Sequence, residues 1–424
     1  MNYFFQSIKG MHDYLPEHTI IWNKIENIFK KILYSYGYFE IKLPILEKTT
    51  LFQASIGDMT DIVSKEMYSF NDKNNHSMTL RPEATTSCVR SVIQNKLLYH
   101  QKQKLWYYGP MFRYERPQKG RYRQFYQFGL ETFGFLNLDI ELELIILINK
   151  LWIQLGITHA ITLEINSIGL FSERTRYQIE LLNFLKQHTS ICDKNLVKQY
   201  HKNPLRILDS KNENIQRMLL KAPNLIDFIN KKSRSRFEKL CNLMIELNIP
   251  YTINYKLIRG LDYYNDTVFE WKSNCIGSQN AICAGGRYDT LVKRLFGPDT
   301  PAVGLAIGMD RLVLLVKSLN IFSINNITTD IYIFFNNQSI INRVIFISEK
   351  IRHEFPKLKI LLEFQSKQIN KILNNMKKYS TKIILFIYGH DTINIYNVIN
   401  HQHNTANESN IICIIKKFFN FHIK

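Results

Sequence analysis

The sequence predicts an α+β fold, and three observations carry that reading. Residues from Leu105 to Gly134 are aromatic-rich and alternate with period two on either side of one basic loop, the pattern of a long antiparallel hairpin. A mostly helical block, about 171–252, then interrupts the strand signals. After residue 325, strand and helix patterns alternate as they do in a small α/β unit. The expected domains are therefore 1–325, carrying the helical insertion, and 326–424.

Each element has its own justification along the chain. Ile20, Ile21, Ile25, Ile28, Phe29, Ile32, Leu33 and Tyr36 recur at helical spacing after Pro16 and stop at Gly37, which predicts an amphipathic helix. Phe39–Pro44 reads as a short edge strand ended by proline. In the hairpin, Gly109, Met111, Arg113 and Glu115 share one face of the first strand. Phe125, Gln127, Gly129 and Glu131 share one face of the second, and Arg116–Arg123 forms the loop. Tyr177–Leu185 and Phe237–Met244 are helical, strands return at Asp262–Trp271 and Asn280–Cys283, and a glycine-punctuated segment leads into an apolar helix, Asp310–Val316. The chain restarts after Ser323-Ile324-Asn325-Asn326 with strands at Ile331–Phe335, Leu358–Leu362 and Lys382–Tyr388, separated by helical stretches. The polar run Asn400–Asn410 reads as a loop, and there is no internal repeat.

Composition excludes several classes of function. The chain has 424 residues, 45% hydrophobic and 21% charged, too apolar for a disordered polyelectrolyte. The cysteines Cys88, Cys192, Cys241, Cys275, Cys283 and Cys413 form no C-x-x-C pair and have no histidine at zinc-ligand spacing, which argues against a disulfide scaffold and a structural zinc. No uncharged apolar run approaches the ~20 residues of a membrane span, and no signal-peptide pattern is present, so a reducing cytoplasm is the expected compartment. Lys plus Arg minus Asp plus Glu is 55 − 36 = +19. Lys and Asn abundance beside Ile fits an A+T-rich coding bias, while a nucleic acid, an anionic membrane or an acidic protein would each be attracted by such a surface, so charge alone selects no partner. P-loop, Rossmann and zincin motifs are missing.

Five clusters remain, and each has a bland reading beside a functional one. The polar hairpin face, floored by Gly129, is either a solvated face or a pocket for an anionic or zwitterionic ligand; glycine in mid-strand favours close approach by something. In Thr79-Leu80-Arg81-Pro82-Glu83-Ala84-Thr85-Thr86, a threonine caps the following helix or the charges serve a site. If Arg259-Gly260-Leu261-Asp262-Tyr263-Tyr264 is extended, its tyrosines face opposite sides, one lining a site and one packing. Ala284-Gly285-Gly286-Arg287-Tyr288-Asp289 and Gly304–Arg311 are turns or ligand-facing segments. Arg311 in a first helical turn is unfavourable unless a ligand needs it.

In this order and along nearly the whole chain, the clusters resemble the histidyl-tRNA synthetases, a family of class II aminoacyl-tRNA synthetases. Lys9–Pro16 looks like the family's opening, Pro44 like the interface proline of motif 1, Tyr108–Gly134 like motif 2 and Gly304–Arg311 like motif 3. Arg259–Glu270 and Ala284–Asp289 are similar to the two histidine-specific signatures. The resemblance implies a class II catalytic domain, built on an antiparallel sheet flanked by helices, and a C-terminal α/β anticodon-binding domain. Its activity would be activation of L-histidine with ATP to histidyl-adenylate and pyrophosphate, then transfer to the 3′ end of tRNA(His).

Carried onto this chain, Arg113 and Arg259 are the expected catalytic residues, and they also meet histidine. Glu83, Thr85 and Gln127 are expected at its ammonium, Glu131 and Tyr264 at its imidazole, with Tyr263 beside them. Arg113, Glu115, Arg121, Phe125 and Arg311 are expected to bind ATP, with Phe125 and Arg311 on opposite faces of adenine and Glu115 at its edge. Gly285 and Gly286 are expected as pocket wall, and Gln118 and Arg123 at the tRNA acceptor end. Mg²⁺ accompanies ATP without a metal site of the protein's own, the chain pairs as a homodimer, and no membrane is involved. Ala84 stands where many relatives have glycine, Asp310 where glutamate is commoner, and Tyr379-Ser380 where Gly-Ala is frequent. The alternatives are the non-catalytic regulatory paralog that partners an ATP phosphoribosyltransferase, and a histidine- or tRNA-sensing binding module. Both fit less well, because Arg113, Arg259 and about a hundred residues beyond Arg311 are all present.

Overall fold

The computed structural model describes residues 5–57, 60–99, 101–188, 204–210, 212–277, 280–322, 329–335, 337–363, 381–388 and 392–419. Cys192, the joint at Ser323–Asn326, the helical stretch expected before Lys382, and Tyr379-Ser380 lie outside these residues. The chain divides into two compact units, Met1–Phe322 and Ser323–Lys424.

The strands of the first unit are β1 (Phe39–Glu40), β2 (Leu46–Lys48), β3 (Tyr68–Asn71), β4 (Ser77–Leu80), β5 (Gln103–Phe112), β6 (Gln124–Phe133), β7 (Thr162–Ser167), β8 (Thr252–Ile253), β9 (Asn265–Lys272), β10 (Ala281–Arg287) and β11 (Ala302–Gly308). Eight of them form one sheet in the order β1-β5-β6-β11-β10-β9-β7-β8. The six central strands are antiparallel, and a short parallel strand closes each edge. β1 stops well before Pro44: only Phe39 and Glu40 pair with β5, and Ile41 adds one further bond to Trp106. A second, three-stranded sheet has the order β2-β4-β3.

Period-two alternation sends the sheet's side chains into two different cores. Phe128, Leu130, Leu305, Phe269 and Trp271 face a layer built from helices Pro16–Ser35, Asp139–Leu155, Lys231–Glu246 and Met309–Ser318. The helix at Pro16–Ser35 follows the expected apolar stripe, burying Ile21, Ile25, Phe29, Ile32 and Leu33. Tyr107 and Met111 face the other way, toward helices Thr85–Gln94 and Phe171–Gln187. This second face carries the site.

The insertion is helical in its described parts, at Phe171–Gln187, Glu213–Met218 and Lys231–Glu246. A buried ion pair joins its last helix to the sheet. Arg287, with no exposure, donates from Nε and Nη2 to the Glu141 carboxylate at 2.8 and 2.7 Å, and Arg236 reaches the same carboxylate at 3.1 Å.

The second unit has strands β12 (Ile331–Phe335), β13 (Ile360–Leu362), β14 (Ile383–Tyr388), β15 (Thr392–Asn397) and β16 (His403–Ala406), in the order β13-β12-β14-β15-β16. β12 is parallel to both neighbours, and the last two pairings are antiparallel. Helices Ile341–Glu354 and Ile411–Phe418 cover one face through Val344, Ile347, Ile351, Ile411 and Ile415. The run Asn400–Asn410 is therefore not simply a loop. Its residues His403–Ala406 form an edge strand, where pairing needs only the backbone and polar side chains are tolerated.

Candidate active site

The sheet face that holds the site is floored by small residues. Across adjacent strands, Gln127 pairs with Gly308, Gly129 with Ala306 and Glu131 with Gly304; Ala306 pairs in turn with Ala284, and Gly304 with Gly286. These residues keep the middle of the face low, and Phe125 and Gln127 of β6 line the cavity above it. Gly129 does admit a close approach, but by the protein itself. The Tyr107 ring occupies the space a Cβ at 129 would need, laying its hydroxyl against Glu131 at 2.9 Å.

Glu131 is fully buried at one end of this floor. It accepts hydrogen bonds from the hydroxyls of Thr85 (2.7 Å), Tyr107 and Tyr288. Gly304 makes the arrangement possible, since a side chain there would run into the carboxylate. Burial with no adjacent cation pushes the Glu131 pKa up to about 8, against the pull of its hydroxyl partners. Among the expected histidine-binding residues, only Glu131 lies beneath the cavity lining rather than in it. Thr85 and Tyr107 of that trio do reach the cavity.

Glu83 lies in the loop before helix Thr85–Gln94, and Thr85 opens that helix. The threonines do not cap this helix; the Glu83 carboxylate does, accepting from the backbone N–H of Thr85 at 2.7 Å and of Thr86 at 3.0 Å. The arrangement fixes a carboxylate at the cavity wall with lone pairs to spare. Arg81 is equally buried, and it spends its donors on the carbonyls of Pro110 and Leu43.

Arg259, Tyr263 and Tyr264 also line the cavity. The two tyrosines do not diverge as an extended segment predicts. Residues 260–263 form bends and turns, β9 starts only at Asn265, and the two rings lie 4.7 Å apart against the same cavity. Burial raises both phenol pKa values, Tyr264 to about 12 because Arg259 partly offsets the rise. Arg259 donates from Nη1 to Glu270, and its Nε is buried without a partner. Burial opposes its charge, but Glu270 outweighs burial and leaves the pKa raised.

Four arginines, Arg113, Arg121, Arg259 and Arg311, converge on this cavity. Arg113 donates from Nε to the Pro82 carbonyl at 2.8 Å and sits 5.2 Å from the centre of the Phe125 ring. Burial lowers its pKa, and the charges of Glu66 and Glu83 offset the effect in part. Arg311 occupies the first turn of helix Met309–Ser318 and donates to the carbonyls of Gly120 and Ala281, each at 2.8 Å. Burial, with the like charges of Arg113 and Arg121, lowers its pKa to about 10. Arg121 is paired with Glu115 and lies 3.6 Å from Glu66. Asp310 anchors this corner by accepting from the Tyr14 hydroxyl at 2.6 Å and the Tyr126 N–H at 2.8 Å. The shorter acid thus ties the family-like opening of the chain to the helix that carries Arg311.

Several expected residues lie outside the cavity. Gly285 pairs with Leu305 and Phe269 on the far face, where a Cβ would strike the next strand. Gly286 is on the near face but lies under Tyr264, whose ring atom would be 3.0 Å from a Cβ there. The wall itself is Ala284, so the two glycines serve strand and ring packing. Gln118 pairs with Arg121 across a tight turn at Lys119-Gly120, and Arg123 stacks over Tyr114 at 3.8 Å. Sequence reasoning assigned no role to Tyr107, Tyr288 or Glu270. Alternation alone places Tyr107 on the site face, two residues before Gly109, whereas the Tyr288 and Glu270 contacts need the tertiary register. Among the described residues no three His, Cys, Asp or Glu side chains group as metal ligands, and no helix is long and apolar enough to cross a membrane.

Comparison with known proteins agrees with this geometry. The family model for histidyl-tRNA synthetase matches residues 10–312. A histidine–tRNA ligase from Buchnera aphidicola subsp. Schizaphis graminum is 56% identical over 377 residues, 88% of each chain. The histidine–tRNA ligase from Buchnera aphidicola subsp. Baizongia pistaciae is 50% identical over 387 residues, 91% of each. The crystal structure of apo S. aureus histidyl-tRNA synthetase superposes with a TM-score of 0.78 at 29% identity, covering 97% of this chain and 100% of that one.

Proposed function

This chain belongs to the histidyl-tRNA synthetase family, and from that premise we propose how its pocket works. It is an aminoacyl-tRNA synthetase that joins L-histidine to tRNA(His), using ATP and passing through histidyl-adenylate. The observation that carries the division of labour is the convergence of Arg113, Arg121, Arg259 and Arg311 on a cavity that the helix-capping Glu83 carboxylate also lines, with Glu131 beneath the lining. Four guanidinium groups beside a fixed carboxylate fit a nucleotide joined to a zwitterion.

In the first step a carboxylate oxygen of histidine attacks the α-phosphorus of MgATP and pyrophosphate leaves. The nucleophile is already ionised, so the protein supplies alignment and charge rather than a base. Arg113 and Arg259 grip the reacting carboxylate and α-phosphate with their forked donors, and Glu270 holds Arg259 in place. Glu83, Thr85 and Gln127 take the substrate ammonium. Tyr264 and Glu131 read the imidazole nitrogens, with Tyr263 packed beside them. Such a recess leaves its own polar groups unpaired when a wrong side chain enters, which rejects it by ~10⁴ in favourable cases.

Phe125 and Arg311 sandwich adenine, and Glu115 meets its edge. Arg121 exchanges its carboxylate partners for the outer phosphates, and Mg²⁺ arrives on those phosphates as part of the substrate, as its preference for phosphate and water oxygens allows. In the second step the terminal ribose hydroxyl of the tRNA attacks the adenylate carbonyl and AMP leaves. Gln118 and Arg123 meet the acceptor end, residues 326–424 bind the anticodon, and residues 1–325 carry the chemistry. The working form is a cytoplasmic homodimer joined near Pro44, and sedimentation checks this: a fully active monomer refutes it. The regulatory and sensing readings are set aside, because both catalytic arginines face the cavity and the similar proteins at 48–56% identity are ligases.

Pyrophosphate exchange into ATP, run with each amino acid in turn, tests the assignment. Exchange with histidine alone is the expected result. A folded protein that exchanges with no amino acid refutes it.

A further inference from the structure

We propose that Arg174, outside the pocket on the first helix of the insertion, is a positioning residue that sets the histidine-reading turn from behind. The proposal rests on the histidine-activating reading above. Arg174 is buried, and its Nη1 donates to the backbone carbonyls of Tyr264 at 2.5 Å and Gly169 at 3.3 Å, while Nη2 donates to that of Asp262 at 3.4 Å. Asp262 lies in the bends and turns of residues 260–263 and Tyr264 just precedes β9, so neither of these two carbonyls is paired in a sheet ladder and each needs another donor. One guanidinium supplies it for both, and its planar fork sets the spacing between them.

The turn is clamped from its other side as well. Asp262 donates its N–H to the Ile56 carbonyl at 3.3 Å, and its carboxylate fills the space that a side chain at Gly57, where φ is +100°, would occupy. Arg174 is itself held firmly. The adjacent Glu173 accepts from the Leu170 N–H at 2.9 Å and from the Asn230 N–H and Nδ2 at 3.0 and 2.7 Å, tying this helix start to the start of helix Lys231–Glu246. Arg174 therefore transmits a position fixed within the insertion to the two tyrosines that line the cavity. It touches no reacting atom. Its loss should relax where Tyr263 and Tyr264 point while leaving the Phe125–Arg311 end of the cavity alone.

The test is pyrophosphate exchange with wild type, Arg174→Lys, Arg174→Met and, as a control, Arg176→Ala, an exposed neighbour that donates to the Phe228 carbonyl. Histidine and ATP are varied separately, and tryptophan fluorescence confirms folding. A lysine cannot serve both carbonyls with one fork, so Arg174→Lys should raise the KM for histidine about tenfold, the scale of a lost charge-assisted bond, with the KM for ATP within about twofold. The preference for histidine over its thiazole analogue, which lacks the ring N–H, should fall in parallel. Arg174→Met should show a larger change if it folds, and Arg176→Ala none. An unchanged histidine KM in Arg174→Lys, or equal rises for both substrates, overturns the proposal. Absence of histidine-dependent exchange in the wild type overturns the activation reading and this inference together.

Discussion

Replacing Glu131 with glutamine should flatten the pH dependence of the first unit's stability. The side chain is fully buried and bonded to three hydroxyls, and its pKa is about 8 against an ordinary 4.5. Between these values the unfolded carboxyl is ionised while the folded one keeps its proton. The stabilising effect of that proton is fully present below pH 4.5 and is lost as pH rises to 8. The slope in this window is ~1.4 kcal/mol per pH unit, so from pH 6 to pH 8 the wild type should lose about 2 kcal/mol through this group alone. Glutamine is nearly isosteric and does not titrate, so Glu131→Gln removes that component whatever constant cost it adds. Urea unfolding at pH 6, 7 and 8 measures the difference. Trp22, Trp106, Trp152 and Trp271 are the chain's four tryptophans, and all lie in the first unit, so their fluorescence reports it separately from residues 323–424. If wild type and variant lose stability in parallel between pH 6 and 8, the carboxyl does not titrate where burial places it.

Three further outcomes follow from named contacts. Arg259→Ala should abolish pyrophosphate exchange while calorimetry still detects histidine binding; full exchange in the variant sinks the role given to this residue. Arg287→Met should destabilise the first unit by about 3 kcal/mol, because it leaves the buried Glu141 carboxylate with Arg236 as its one remaining cation among the described residues. Adding Glu141→Leu should recover most of that loss in urea unfolding, and no recovery would count against the ion-pair account. Gly129→Ala forces the Tyr107 ring off Glu131 and should raise the histidine KM about tenfold, the scale of one lost bond. An unaltered KM would show that the ring has another place to go.

Most of the site was legible because its residues follow strand alternation. Phe125, Gln127, Gly129 and Glu131 share a face for the reason period two requires, and Met111 and Gly109 join them across the hairpin. What alternation could not show is depth. Glu131 and Gln127 read alike in sequence, yet Glu131 pairs with Gly304 and is roofed by Thr85, Tyr107 and Tyr288, two of which come from distant segments. The tyrosine pair was misplaced because the start of β9 depends on Asp262 being held by Ile56 and Arg174, contacts spanning roughly 90 to 200 residues. Gly285 and Gly286 were read as a wall for a ligand, whereas the neighbours that exclude their side chains are β11, β9 and Tyr264.

The electrostatics divide the buried arginines by purpose. Arg259 and Arg287 each face a carboxylate directly, and both pKa values rise despite burial. Arg287 is saturated by Glu141 and Asp289 and has no exposure, so it braces the β10 end of the sheet against helix Asp139–Leu155. Arg113 and Arg311 have lowered values instead. Their hydrogen bonds to the carbonyls of Pro82, Gly120 and Ala281 fix where the guanidinium planes lie but bring no negative charge, and repulsion between the two adds to the cost at Arg311. Nearby carboxylates offset only part of the cost of gathering these charges. The gain comes when an anion with charge spread over several oxygens enters between them, and a nucleotide triphosphate is such an anion. Arg259 combines features of the two groups, paired through Nη1 to Glu270 while its buried Nε has no hydrogen-bond partner, which fits the role proposed for it beside the substrate.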